Sequence, residues 1–184
     1  MSAPSVLEAA RQMRLSIRAQ ACLRPSMVSR AAVQALLDAG HCADALSLLG
    51  RLLPRRYAVA WACQCGRRQT LDEHDRGGLA LAQAWVRDPV EAHRAAALAF
   101  AKMHRYQTIG AWTAAAAGWT GGNLNPDHER PTPPPDHLTA IAATAAVTYM
   151  AALVPAQFDA RCAAFVCDAL GLLSVPEGID GGIR

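Results

Sequence analysis

Pro54-Arg55-Arg56-Tyr57-Ala58-Val59-Ala60-Trp61-Ala62-Cys63-Gln64-Cys65 is an almost unbroken apolar run, with Arg51, Arg55 and Arg56 on one side and Arg67 and Arg68 on the other. Proline is tolerated in the first turn of a helix, where its missing N–H leaves no bond unmade. From Tyr57 to Cys65 only Gln64 is strongly polar, so the stretch reads as a central helix with no face left for water and with Tyr57 and Trp61 in the core. Other helices have to pack around it.

Reading outward from that run, the chain offers little else than helix. Its 184 residues are 52% hydrophobic but only 5% aromatic, so the core is made of Ala, Leu and Val. Alanine is the best helix former, and β-branched or aromatic runs of strand length are missing. The expected fold is all-α: a compact bundle or short α-solenoid-like array of about seven to eight helices with one long Pro-rich loop.

Upstream, Val6, Leu7, Ala10, Met13, Ile17 and Ala21 have helical spacing and predict one amphipathic helix within residues 1–25, loosely attached. A single helical domain then spans residues 26–173. Ser26 is placed to cap a second helix that stops at Gly40, and the short link to a third helix, His41 to Leu53, implies an antiparallel hairpin. Downstream, Leu79, Leu81, Ala82, Trp85 and Val86 mark the next apolar face. Asp88-Pro89-Val90-Glu91 has the form of a capping box, Asp as N-cap and Glu three residues on, opening a helix from Pro89 to His104. Thr108 can cap Ile109 to Trp119, on which Trp112 and Trp119, seven apart, share a face. Leu138 to Leu153, capped by Asp136, and Ala156 to Leu173 read as a final antiparallel pair, followed by a tail at residues 174–184. Trp61, Tyr57, Trp85 and Trp112 are the expected aromatic core.

Charge and cysteines limit the function. Residues 1–70 carry 10 Arg against 3 acids, while residues 71–184 carry 8 basic residues against 12 acids, so the N-terminal part is the electropositive one. No basic stripe interleaved with aromatics and no recognition-helix module is found, so no nucleic-acid partner is expected. The six cysteines are irregularly spaced within Ala-rich runs, and Cys63 and Cys65 point to nearly opposite faces of a helix. Free, buried thiols, no metal, no cofactor and a cytoplasmic setting are expected. Leu138 to Phe158 has the ~20-residue length of a membrane span, but Ala and Thr dominate it and Pro155 interrupts it, so no span is expected.

Several stretches together resemble an uncharacterised family of small bacterial proteins. They are Leu53-Pro54-Arg55-Arg56 with Trp61-Ala62-Cys63, Ala84-Trp85-Val86 with Asp88-Pro89, Ala111-Trp112, Gly118-Trp119 with Gly121-Gly122-Asn123-Leu124, and Pro133-Pro134-Pro135 with His137-Leu138-Thr139-Ala140. The likeness covers roughly residues 40 to 150. Some members of that family are encoded beside type VI secretion effectors and their loading adaptors, which implies an accessory or co-chaperone role. The resemblance supplies no catalytic residues, and Tyr57 stands where related sequences often place an acidic residue.

The candidate site is the one long segment without helical pattern, Thr120 to Asp136, which holds 5 of the 11 prolines. Loops on a rigid scaffold are where binding concentrates. Trp119, Asn123, Asn125, Asp127, Pro133, Pro134 and His137 are its candidate partner-binding residues. The prolines lower the entropy lost on docking, and the side-chain amides and carboxylate offer hydrogen bonds. The partner is expected to be another protein: an effector, an adaptor or a chaperone. The alternatives are a small metal-dependent hydrolase using Asp127-His128-Glu129 with Asp136-His137, and a toxin- or immunity-type helical protein. A strap of Pro133 to Pro135 laid over Trp112 and Trp119 is the structural counter-reading of the loop.

Overall fold

The computed structural model describes residues 4–125 and 130–174. Among them are α1 (Val6–Gln12), α2 (Ile17–Ala21), α3 (Ser29–Asp38), α4 (Cys42–Leu52), α5 (Arg55–Arg67), α6 (Glu73–Arg87), α7 (Glu91–Met103), α8 (Ile109–Gly118), α9 (His137–Ala152) and α10 (Phe158–Cys167). Short 3-10 turns cover Pro155–Gln157 and Leu170–Ser174, and no strand occurs among the described residues. The fold is all-α, with more helices than the apolar periodicity alone separates. The tail from residue 175 onward lies outside the described residues.

Local chemistry explains most boundaries. Ser5, Ser16, Asp72 and Thr108 each accept a hydrogen bond from the backbone N–H three residues on, filling donors that the first turn of a helix leaves orphaned. Gly40 adopts φ +76° after α3, and the N–H groups of Gly40 and His41 return to the carbonyls of Leu37 and Leu36. That reversal is left-handed, where a Cβ would be strained, and it builds the α3–α4 hairpin. The same pattern ends α1 and α7 without glycine: Arg14 sits at φ 53°, Arg105 at φ 53° and Tyr106 at φ 56°.

Five local expectations are corrected. The N-terminal segment is two helices, because the Arg14 reversal breaks the apolar stripe and Ser16 restarts it. Nor is it loosely attached: Ser16 gives Asp44 two hydrogen bonds of 2.8 Å, Arg51 reaches Gln12 at 2.6 Å, and Val6, Ala9 and Ala10 belong to the common core. Ser26 caps nothing, since α3 starts at Ser29 with no side-chain cap. The Asp88 capping box does not form, because Asp88 closes α6 and Glu91 spends its carboxylate on Arg94 at 2.6 and 2.7 Å. Asp136 likewise makes no cap; its carboxylate pairs with Arg55.

The enclosed centre is α8. Every one of its residues except Trp112 is buried, and α6, α7 and α9 surround it, with α5 touching it as well. Its close approach to α6 is made by Gly78 and Gly110: a Cβ on Gly78 would lie 2.3 Å from the Gly110 carbonyl oxygen, and one on Gly110 would lie 2.5 Å from that of Asp75. The α5 run is central in sequence but has an outer stripe. Arg56, Tyr57 and Arg67 are exposed, and Ala60 and Gln64 are half-buried. Tyr57, expected in the core, is 36% exposed, because it falls on that stripe beside Arg56. Trp61 faces the other way, 1% exposed, and donates its indole N–H to the Phe165 carbonyl at 3.0 Å, tying α5 to α10. Trp85 is buried as expected, and Trp112 is half-buried. The helices α9 and α10 meet at a bend of 111°, closer to a corner than to an antiparallel pair. Among the described residues no single helix is long and apolar enough to cross a membrane.

Candidate functional site

Between α8 and α9 the chain runs without helix or strand through residues 119–125 and 130–136. Two arginines from distant helices hold its base. Arg55, in the first turn of α5, donates to the Thr120 carbonyl at 2.8 Å and pairs with the Asp136 carboxylate, so one guanidinium grips both ends of the segment. Arg94, buried on α7, makes a bidentate pair with Glu91 and donates to the Gly118 carbonyl at 2.6 Å. A planar guanidinium that donates to two carboxylate oxygens and a carbonyl is held in one orientation. These bonds keep the Glu91 carboxyl below its ordinary range.

Gly122 fits over this arginine. It adopts φ +85°, and a Cβ there would come within 2.5 Å of the Arg94 guanidinium carbon, so both the conformation and the space call for glycine. Just beyond, Asn123 Oδ1 accepts from the N–H groups of Asn125 at 3.0 Å and Thr132 at 2.7 Å, while the Leu124 N–H donates to the Thr132 carbonyl at 2.8 Å. This neck joins the outgoing and returning chain. Asn123 is therefore a staple of the loop. Leu124, Asn125, Thr132, Pro133 and Pro135 are exposed, and Pro134 alone of the three consecutive prolines is buried. His137 is half-buried at the start of α9. Asp127, with its neighbours His128 and Glu129, lies outside the described residues.

Against the base stands an aromatic cluster. Tyr106 stacks on Trp119 with ring centroids 5.4 Å apart, Trp112 meets Trp119 edge-on at 6.3 Å, and Tyr106 and Trp112 are 5.8 Å apart. The left-handed backbone at Arg105 and Tyr106 accompanies this placement of the Tyr106 ring. Burial raises the Tyr106 hydroxyl above its ordinary range. The Trp112 indole N–H is buried without a hydrogen-bond partner.

Residues 32–173 match a family of unknown function, DUF6931. The chain belongs to the DUF6931 family. No curated protein and no solved structure matches it. The DUF6931 match takes in the loop, the aromatic cluster and both clamping arginines, and α1 and α2 lie ahead of it.

The sequence singled out Trp119, Asn123 and the prolines but missed Arg55, Arg94, Tyr106 and Leu124. One signal was available: Arg94, Ala97 and Ala101 are spaced as one helical stripe, and an arginine on an otherwise alanine stripe marks a buried cation in need of partners. Elsewhere, all six cysteines are free, and burial pushes the thiols of Cys63 and Cys65 up to about 12 and that of Cys162 up to about 11. Those three are neutral hydrophobes, whereas Cys22 and Cys42 are only half-buried and Cys167 is exposed, so the expectation of buried thiols holds for three of the six. Among the described residues no group of three or more His, Cys, Asp or Glu is placed to hold a metal ion.

Proposed function

We propose that this chain is a non-enzymatic protein-binding module, a cytoplasmic accessory or adaptor in type VI effector loading, which meets its partner through the loop between α8 and α9. The observation that carries the reading is the division of labour within that loop. Arg55, Arg94 and Asn123 fix its base and neck, while Leu124, Asn125, Pro133 and Pro135 point to solvent. The described stretches, 119–125 and 130–136, are held at base and neck and carry Pro131, Pro133, Pro134 and Pro135, so less affinity is lost to ordering them on docking. An apolar side chain beside a free amide on such a platform suits a protein surface. The resemblance to proteins encoded beside type VI effectors and loading adaptors gives the class of partner.

Co-expression of the full chain with the product of each flanking gene, followed by size-exclusion chromatography, tests the reading. A stable complex with an effector or its adaptor is expected, weakened at least about tenfold by Leu124→Asp with an unchanged melting midpoint. A complex indifferent to Leu124→Asp overturns the loop as the contact. A lowered midpoint without partner loss makes the loop a strap.

A further inference from the structure

Away from the loop, α5 and α6 leave a surface groove between them. Its floor is Ala60, Cys63 and Val86, and its rim is Arg67, Gln83 and Arg87. At about 170 Å³ it is smaller than the roughly 300–1,000 Å³ of sites that enclose a cofactor or drug-sized ligand, and it has room for one or two side chains. The floor is uncharged, since burial keeps the Cys63 thiol neutral.

The rim is cationic, and no carboxylate pairs with it among the described residues. Arg11, Arg55, Arg68 and Arg94 each pair with a carboxylate, those of Glu8, Asp136, Asp168 and Glu91. Arg67 and Arg87, both exposed, pair with none among the described residues; Arg87 only leans on the Gln83 carbonyl at 3.4 Å. The nearest acid in sequence, Asp88, faces the His93 ring at 3.8 Å. Two cations and an amide around an apolar floor complement a segment that carries aliphatic side chains between two carboxylates. Nucleic acid fits less well, because the groove offers no aromatic on which a base could stack.

We infer that this groove docks an acidic segment of a partner protein, with carboxylates on Arg67 and Arg87, an aliphatic side chain over Ala60, Cys63 and Val86, and the Gln83 amide on its backbone. None of the described loop residues lines this site.

The test uses the isotope-labelled full chain and follows arginine side-chain and methyl NMR signals. The probe is the blocked tetrapeptide Glu-Leu-Leu-Glu, titrated to about 10 mM, which reaches millimolar dissociation constants. Saturable shifts of Arg67, Arg87 and Val86 are expected, absent with Gln-Leu-Leu-Gln and abolished in R67E/R87E. Both arginines are exposed but lie in the last turns of α5 and α6, where a carboxylate opposes the helix dipole; R67Q/R87Q avoids that penalty, abolishes the shifts as well, and keeps the wild-type melting midpoint. No shift at that concentration overturns the inference. Equal shifts with sodium acetate reduce the site to a simple anion contact, and stronger shifts with oligothymidylate make it a phosphate surface; either result also overturns it. Loss of loop-dependent complex formation leaves this experiment untouched, so the two surfaces fail separately.

Discussion

Trp61, on α5, is 1% exposed and gives its indole N–H to the Phe165 carbonyl at 3.0 Å, whereas the indole N–H of Trp112, on α8, is buried without a partner. The surroundings differ in the same sense. Trp61 sits among Leu, Val and Ala, with Gly50 close enough that an added Cβ would lie 3.4 Å from its ring. Trp112 sits with Trp119 and Tyr106 beside two consecutive left-handed residues, each costing on the order of 1–2 kcal/mol in that conformation. One tryptophan closes a finished core. The other belongs to a region where strain and an unmade hydrogen bond accumulate next to the exposed loop, as is common where structure serves binding.

The largest effect expected is at the finished site. Trp61→Ala removes a fully buried aromatic and strands the Phe165 carbonyl, for a loss of roughly 3–5 kcal/mol in denaturant unfolding. A loss under about 1 kcal/mol would make α5 peripheral and dissolve the contrast. Next comes Arg94→Ala at the loop base. It leaves the Gly118 carbonyl without its donor and should cost about 1–3 kcal/mol, with amide exchange accelerated at residues 119–125 before the rest of the fold. Exchange rising first in α5 would show that Arg94 supports the whole core and not the loop.

Those two sites also mark how far the sequence could be read. Helical class, the glycine stop at Gly40 and the Thr108 cap were legible because each is a local bargain between neighbouring residues. The partnerships that shape the loop were not. Arg55 reaches residues 65 and 81 positions away and Arg94 reaches one 24 away, and no local pattern encodes such a pairing. Tyr57 was misplaced because a run with eight apolar residues in the nine from Tyr57 to Cys65 hides which side of a helix the neighbours occupy; the flanking Arg56 and Arg67 define the outer stripe only once α6 and α9 are in position. The Asp88 box failed for a related reason: its Glu91 had a stronger claimant one turn on, a cation with little access to water.

Caps supply the intermediate test. Thr108→Ala removes the oxygen that accepts from the Ala111 N–H and should cost about 1 kcal/mol. Asp88→Ala, at a residue that resembles a cap in sequence only, should cost less than about 0.5 kcal/mol. Equal losses in thermal or urea melts would mean that Asp88 caps α7 in solution.

The smallest effect is expected at the unfinished site and separates it most sharply from the core. Trp112→Phe deletes a buried donor that has no acceptor, which relieves the fold of a desolvation penalty of about 1–3 kcal/mol. It also removes one ring of the indole from its edge contact with Trp119, a loss of about 0.5–1.5 kcal/mol beyond the area given up. The two terms oppose each other, so the midpoint should move by less than about 0.5 kcal/mol. Trp61→Phe has only unfavourable terms, because its donor is used, and should lose about 1–3 kcal/mol. Two chemically identical substitutions would then differ several-fold on one scaffold. If Trp112→Phe costs as much as Trp61→Phe, the Trp112 N–H has an acceptor in solution, and the aromatic cluster at the loop is as complete as the core behind it.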